Sequence, residues 1–140
     1  MVTKLLIAFA LFLNGCANHG PLPEGELVKI PVKKYWEFEN LKRIEPEPIY
    51  QEWFVELEVC LEETADFEEI YWYSASYGQD PNGFSLDGVH YRPNNKTAII
   101  LIDSDKETVT HEMAHFILRT NEKEGHHWIP RFWACVKAES

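Results

Sequence analysis

His111-Glu112-Met113-Ala114-His115 is the stretch of this chain whose residue types and spacing most directly offer chemistry. On an α-helix, residues four apart share a face, so the two imidazoles can hold one divalent ion between them. Glu112 stands beside the first of them, where a carboxylate can act as general base toward water activated at that ion. The pattern predicts metal-assisted hydrolysis of an amide, with Zn²⁺ as the single metal ion.

Catalytic zinc takes three protein ligands and leaves one position open. A third histidine six residues after His115, with glycine at position 118, is one way to complete the set, but those positions hold Asn121 and Leu118. Glu122 and Glu124 lie too near the end of the motif helix to fold back, and Glu139 is nearly the last residue. His126 and His127 remain, placed after Gly125 and before a short helix that Pro130 can open. Neighbours on a chain point in different directions, so one of the pair is expected to bind metal. His127 is favoured over His126, and the other would support a ligand or face the substrate.

Several elements must position these groups. Residues 97–103 are β-branched and apolar and read as a buried strand. Ser104 and Glu107 have capping-box spacing, and Val109, Met113, Phe116 and Ile117 follow at helical period, with Thr120, Asn121 and Gly125 as stop signals. Upstream, residues 48–64 read as a helix with the buried stripe Trp53, Phe54, Leu57, Cys60 and Leu61. Residues 67–73 read as a strand, 74–87 as a loop, and 89–92 as a strand joined to 97–103 by the turn Pro93-Asn94-Asn95-Lys96. A last helix over 130–138 would bring Phe132, Trp133 and Val136 into the core. The expected architecture is one small α+β domain over residues 48–140: a few-stranded sheet, the motif helix and a flanking N-terminal helix. Strand 97–103 is expected to take an extended peptide along its edge. Tyr91, His126 and Arg131 are the side chains suited by type and neighbourhood to steady an oxyanion.

Residues 48–138 resemble the zinc-peptidase group related to the SprT-like and WLM families, which pair this motif with a later histidine shortly before a phenylalanine. Here that reads His127-Trp128-Ile129-Pro130-Arg131-Phe132, with Cys135 three beyond Phe132. Trp128 and Ile129 depart from the glycine or histidine more common there. The chain more closely resembles small bacterial lipoproteins and secreted proteins whose layout Trp53, Cys60, Trp72, Tyr73, the motif helix and Cys135 follow in order. The resemblance implies a zincin-like fold, metal at His111, His115 and His127, Glu112 as catalytic base, and a peptide or protein substrate, with peptidoglycan stem peptides among the candidates.

Residues 1–15 read as a signal peptide: Lys4 gives a positive start and residues 5–13 are continuously apolar. At ~1.5 Å per residue that run is too short to span a ~30 Å hydrocarbon core. Leu13-Asn14-Gly15-Cys16 resembles a bacterial lipobox, which implies lipidation at Cys16, with an ordinary cleaved signal as the alternative. By resemblance to Gram-negative lipoproteins, Ala17 in place of Asp points to the outer membrane, facing the periplasm. With Cys16 given to lipid, Cys60 and Cys135 remain as an even pair in an oxidising compartment, and a disulfide between them is expected. Residues 16–47 carry Gly20, Pro21, Pro23, Gly25, Pro31 and Pro46 and read as a lipid-anchored tether, with one extended piece at 27–32. Its Tyr35-Trp36-Glu37-Phe38 patch is expected to pack on the domain.

A net charge of −10 with no basic stripe excludes nucleic acid as a partner. Two readings remain: a membrane-anchored zinc metallopeptidase of the cell envelope, or a catalytically inactive zinc-binding envelope lipoprotein serving as a binding or structural module. Glu112 favours the first, because structural zinc needs no base and takes four protein ligands.

Overall fold

A computed structural model of the chain describes residues 20–32, 34–93, 96–119 and 126–137. Its elements are β1 (Gly25–Pro31), β2 (Tyr35–Arg43), α1 (Pro48–Leu61), β3 (Ile70–Ser74), β4 (Tyr77–Gln79), β5 (Gly88–Tyr91), β6 (Thr97–Leu101), α2 (Lys106–Arg119) and α3 (Pro130–Lys137). Mixed helix and sheet in one small domain is the expected α+β class.

The strands order as β1-β2-β3-β6-β5, with β4 also pairing β2. β6 runs parallel to β3, with Trp72 opposite Ile99, and antiparallel to β5, with His90 opposite Ile99. Both faces of β6 are covered, which is why Thr97-Ala98-Ile99-Ile100-Leu101 is apolar without alternation. Strand 97–103, expected to offer its edge to a peptide, is therefore interior. Both of its ladders are filled, and among the described residues the edge beside α2 belongs to β5.

The sheet separates two cores. On one face Ile70, Trp72, Ile99 and Leu101 meet Phe54, Leu57 and Leu61 of α1, Val109, Met113 and Phe116 of α2, and Phe132 and Val136 of α3. On the other, Tyr73, Val89, Ala98 and Ile100 meet Val28, Ile30, Phe38 and Leu41. The second core corrects the reading of 16–47 as a tether and of 48 as the domain's first residue. An apolar sheet face must be covered by another layer, and the β1–β2 hairpin supplies it. Asn40 takes a left-handed φ of 53°, resetting the alternation so that Phe38 and Leu41 both face inward. Leu22 is fastened as well: its N–H donates to Tyr73 Oη at 3.3 Å, and that hydroxyl donates to the Leu22 carbonyl at 3.3 Å. Trp36, from the aromatic patch expected to pack on the domain, meets Tyr91 edge-on at 5.8 Å.

Smaller differences have local causes. α1 stops at Glu62, which adopts a left-handed φ of 55°, before the expected residue 64. The cap of α2 is Asp105, whose Oδ1 accepts from the Thr108 N–H at 2.7 Å, one residue later than the Ser104 box. Residues 67–69 form a 3-10 turn, and the supposed loop 74–87 contains β4.

Cys60 and Cys135 form the expected disulfide, with Sγ atoms 2.08 Å apart, joining the last turn of α1 to α3 across 75 residues of chain. Among the described residues no helix is long and apolar enough to cross a membrane. The expectations for the signal peptide at 1–15 and for lipid at Cys16 lie outside the described residues.

Candidate metal centre

α2 buries Val109, Met113, Phe116 and Ile117, and this fixes which way its remaining residues point. His111 and His115 lie half-buried on its flank, one turn apart, with Nε2 atoms 3.2 Å from each other. His127 reaches them from the turn before α3: its Nε2 is 3.1 Å from that of His111 and 2.9 Å from that of His115. The structure thus gathers the three histidines chosen from the sequence into a group able to hold a metal ion. The side chain of His126 lies outside the described ones.

The donor set fits a small divalent ion. Nitrogens each ~2.05 Å from one ion at tetrahedral angles stand ~3.3 Å apart, close to the 2.9–3.2 Å observed. Metal binding also requires neutral imidazole. Burial, helped by the facing His127, pushes the His111 ring down from 6.5 to about 4, keeping it neutral at ordinary pH.

α3 forms the wall against which the triad rests. The ring of Phe132, wholly buried, lies 5.1, 4.9 and 5.2 Å from the rings of His111, His115 and His127. Trp133 lies 5.3 Å from the His127 ring and 5.5 Å from that of His111, and its Nε1 donates to the His127 carbonyl at 2.9 Å. From the sequence Trp133 was a core residue only. Its position one residue after Phe132 and six after His127 was the available signal.

Glu112 points from α2 toward β5. Its side chain is buried, and the carboxylate accepts a hydrogen bond from the backbone N–H of His90. Burial raises its pKa from 4.5 to about 8, against the smaller lowering effect of that hydrogen bond. Glycine at 88 makes this approach feasible. A Cβ there would stand 3.2 Å from Glu112 Cγ and 2.9 Å from Thr108 Cγ2. His90 is a second residue that the sequence reading passed over. Its ring lies 6.2 Å from that of His115 and nearly parallel to it, at 23°. Gly88 and His90 alternate on the same face of β5, and that spacing was the only clue.

Of the side chains suited to an oxyanion, the two that are described turn elsewhere. Tyr91 packs with Trp36 against the second core, on the other face of β5 from His90. Arg131 Nη1 pairs with Glu62 Oε2 at 2.9 Å. Trp128, next to His127, is 90 % exposed.

Comparison with protein-family models, with curated proteins and with solved structures found no match for the chain. What the centre can do follows from its own chemistry: three converging nitrogen donors, one of them held neutral by burial, and a buried carboxyl beside the first of them.

Proposed function

We propose that this chain is a zinc-dependent metallopeptidase, with His111, His115 and His127 holding one Zn²⁺ and Glu112 as general base. The observation that carries the reading is the pairing of a three-nitrogen donor set with a buried carboxyl one residue from its first member. A structural zinc site takes four protein ligands and has no use for a base. Zinc bound here would supply Lewis acidity toward water and the substrate carbonyl. Glu112 takes a proton from the attacking water and passes it to the leaving amine. Its raised pKa suits that double role near neutrality, because the group must both accept and release a proton.

Substrate binding on this reading falls to β5. It is an edge strand among the described residues, and its His90 N–H reaches Glu112. An extended peptide pairing along that edge would carry a backbone amide past the base. The setting is the bacterial cell envelope, with lipid at Cys16 holding the protein to the outer membrane. The Cys60–Cys135 bridge accords with an oxidising compartment. Envelope proteins and peptidoglycan stem peptides are the substrates such a setting offers.

The test is zinc content and cleavage of an unbiased peptide library by the wild type and by Glu112→Gln. One zinc per chain in both, with cleavage in the wild type only, is the expected result. One zinc per chain without cleavage in either would leave the inactive zinc-binding lipoprotein as the better reading. No zinc in a folded wild-type chain would remove both.

A further inference from the structure

The three histidines are not held alike. His111 and His115 are built into α2, whose apolar face is locked in the first core. His127 sits in a three-residue turn, tied to the fold through α3 by the Trp133 indole on its carbonyl and by the ring of Phe132 beneath it. α3 itself has eight residues and buries only Phe132 and Val136. A helix of that length does not persist alone in water. Its ion pair to the residue that caps α1, Arg131–Glu62, is exposed on both sides and contributes little. The covalent hold on α3 is the Cys60–Cys135 bridge, placed one turn after Arg131 and two residues after Trp133. Cys60 is exposed and Cys135 half-buried, so thiol reagents can reach the bridge.

We propose that the metal centre is under thiol control: opening the Cys60–Cys135 bridge releases α3, and with it His127, so that metal binding weakens. This rests on the reading of His111, His115 and His127 as a metal centre. The reductant is a dithiol. Its first thiolate attacks one sulfur of the bridge, breaking the S–S bond and forming a mixed disulfide, and its second thiolate displaces that bond and closes the reductant's own disulfide. Two electrons and two protons thereby pass to Cys60 and Cys135, which end as thiols. Trp133 is the positioning residue in this chain of contacts, because its indole N–H on α3 hydrogen-bonds the His127 backbone carbonyl. With the bridge closed the centre has three ligands, and with it open two.

The test measures zinc affinity of the whole chain by competition with a chromophoric chelator. Three forms are compared: oxidised, reduced with its thiols alkylated and the reductant removed, and Cys60→Ser/Cys135→Ser. His127→Ala marks the affinity of a two-histidine centre. Hydrogen exchange is followed in parallel over residues 126–137 and over β6. The expected result is a 10- to 100-fold loss of affinity in both opened forms, toward the His127→Ala value, with faster exchange at 126–137 and β6 still protected. Unchanged affinity with the bridge open overturns the proposal and leaves the metal centre standing. Loss of β6 protection on reduction also overturns it, since the bridge would then be holding the whole fold. Failure of the oxidised chain to bind zinc would instead strike the metal centre itself.

Discussion

The indole N–H of Trp133 donates to the backbone carbonyl of His127 at 2.9 Å, so the third histidine is oriented by a helix that begins only after it. Replacing Trp133 by Phe keeps an aromatic ring against His127 and removes the donor. A hydrogen bond of this kind contributes about 0.5–1.5 kcal/mol, so zinc affinity is expected to fall roughly 2- to 10-fold. Trp133→Ala also loses the ring contact and should cost more. Chelator competition reads both, and thermal unfolding of the chelated proteins shows whether the fold is intact. Unchanged affinity in Trp133→Phe would mean that His127 is positioned by other contacts.

Glu112 should leave a pH signature on the stability of the metal-free protein. Its carboxyl is held near 8 in the fold against an ordinary value of 4.5, so between those values the folded chain keeps a proton that the unfolded chain has released. Stability must therefore fall as pH rises from about 4.5 to about 8, by an amount on the order of a few kcal/mol. Glu112→Gln removes that slope. Urea unfolding of chelated wild type and variant at pH 5 and pH 8 is the measurement, and parallel profiles would contradict the burial of an ionisable group at this position.

His111 acts in the opposite direction. Held near 4 against an ordinary 6.5, it is neutral in the fold where the unfolded chain takes up a proton. Metal-free stability should therefore drop as pH falls from 6.5 toward 4, and His111→Ala should flatten that limb relative to wild type. Between about 4.5 and 6.5 the two slopes oppose each other. The decline due to Glu112 should stand alone only above 6.5.

Gly88→Ala places a methyl group 2.9 Å from Thr108 Cγ2 and 3.2 Å from Glu112 Cγ. Overpacking of this kind costs about 1–3 kcal/mol, and here the group pushed aside is the proposed base. Peptide cleavage should fall at least tenfold while zinc content stays near one per chain, because the atoms the new methyl crowds most closely belong to Thr108 and Glu112 and to none of the three histidines. Equal losses of zinc and cleavage would show that the substitution damages more than the base.

A chain begun at residue 48 should not fold. It lacks Val28, Ile30, Phe38 and Leu41, which cover Tyr73, Val89, Ala98 and Ile100. A chain begun at residue 20 keeps them and should fold. Near-UV circular dichroism distinguishes the two, with a fixed aromatic signal expected only from the longer one.

The parts legible in the sequence were those written as local patterns. The helical period of Val109, Met113 and Phe116 fixed the faces of the motif helix, and the leftover cysteine pair found its partner by elimination. His127 emerged because Asn121 and Leu118 closed off the nearer solution. The β1–β2 hairpin stayed hidden because Gly and Pro flank its strands and its apolar residues are few. What makes Val28 and Ile30 strand residues is the sheet face they cover, contributed by residues 43 to 72 positions away. The interior place of β6 was hidden for the same reason, since two-sided burial is legible in its apolar run but the identity of its neighbours is not. His90 lies on a four-residue strand, where its two-residue spacing from Gly88 is too little to say which face meets the motif helix.

The hydrogen bonds between Leu22 and Tyr73 set a length scale. From Cys16 to Leu22 the chain can stretch at most ~20 Å, whereas a spacer running to residue 47 could have spanned ~100 Å. Were lipid attached at Cys16, as proposed, the protein would stay within a couple of nanometres of the bilayer surface. Its working volume would be a thin shell, filled only by what the membrane itself carries or what drifts against it. Encounter rates would then follow the surface density of substrate and not its bulk concentration.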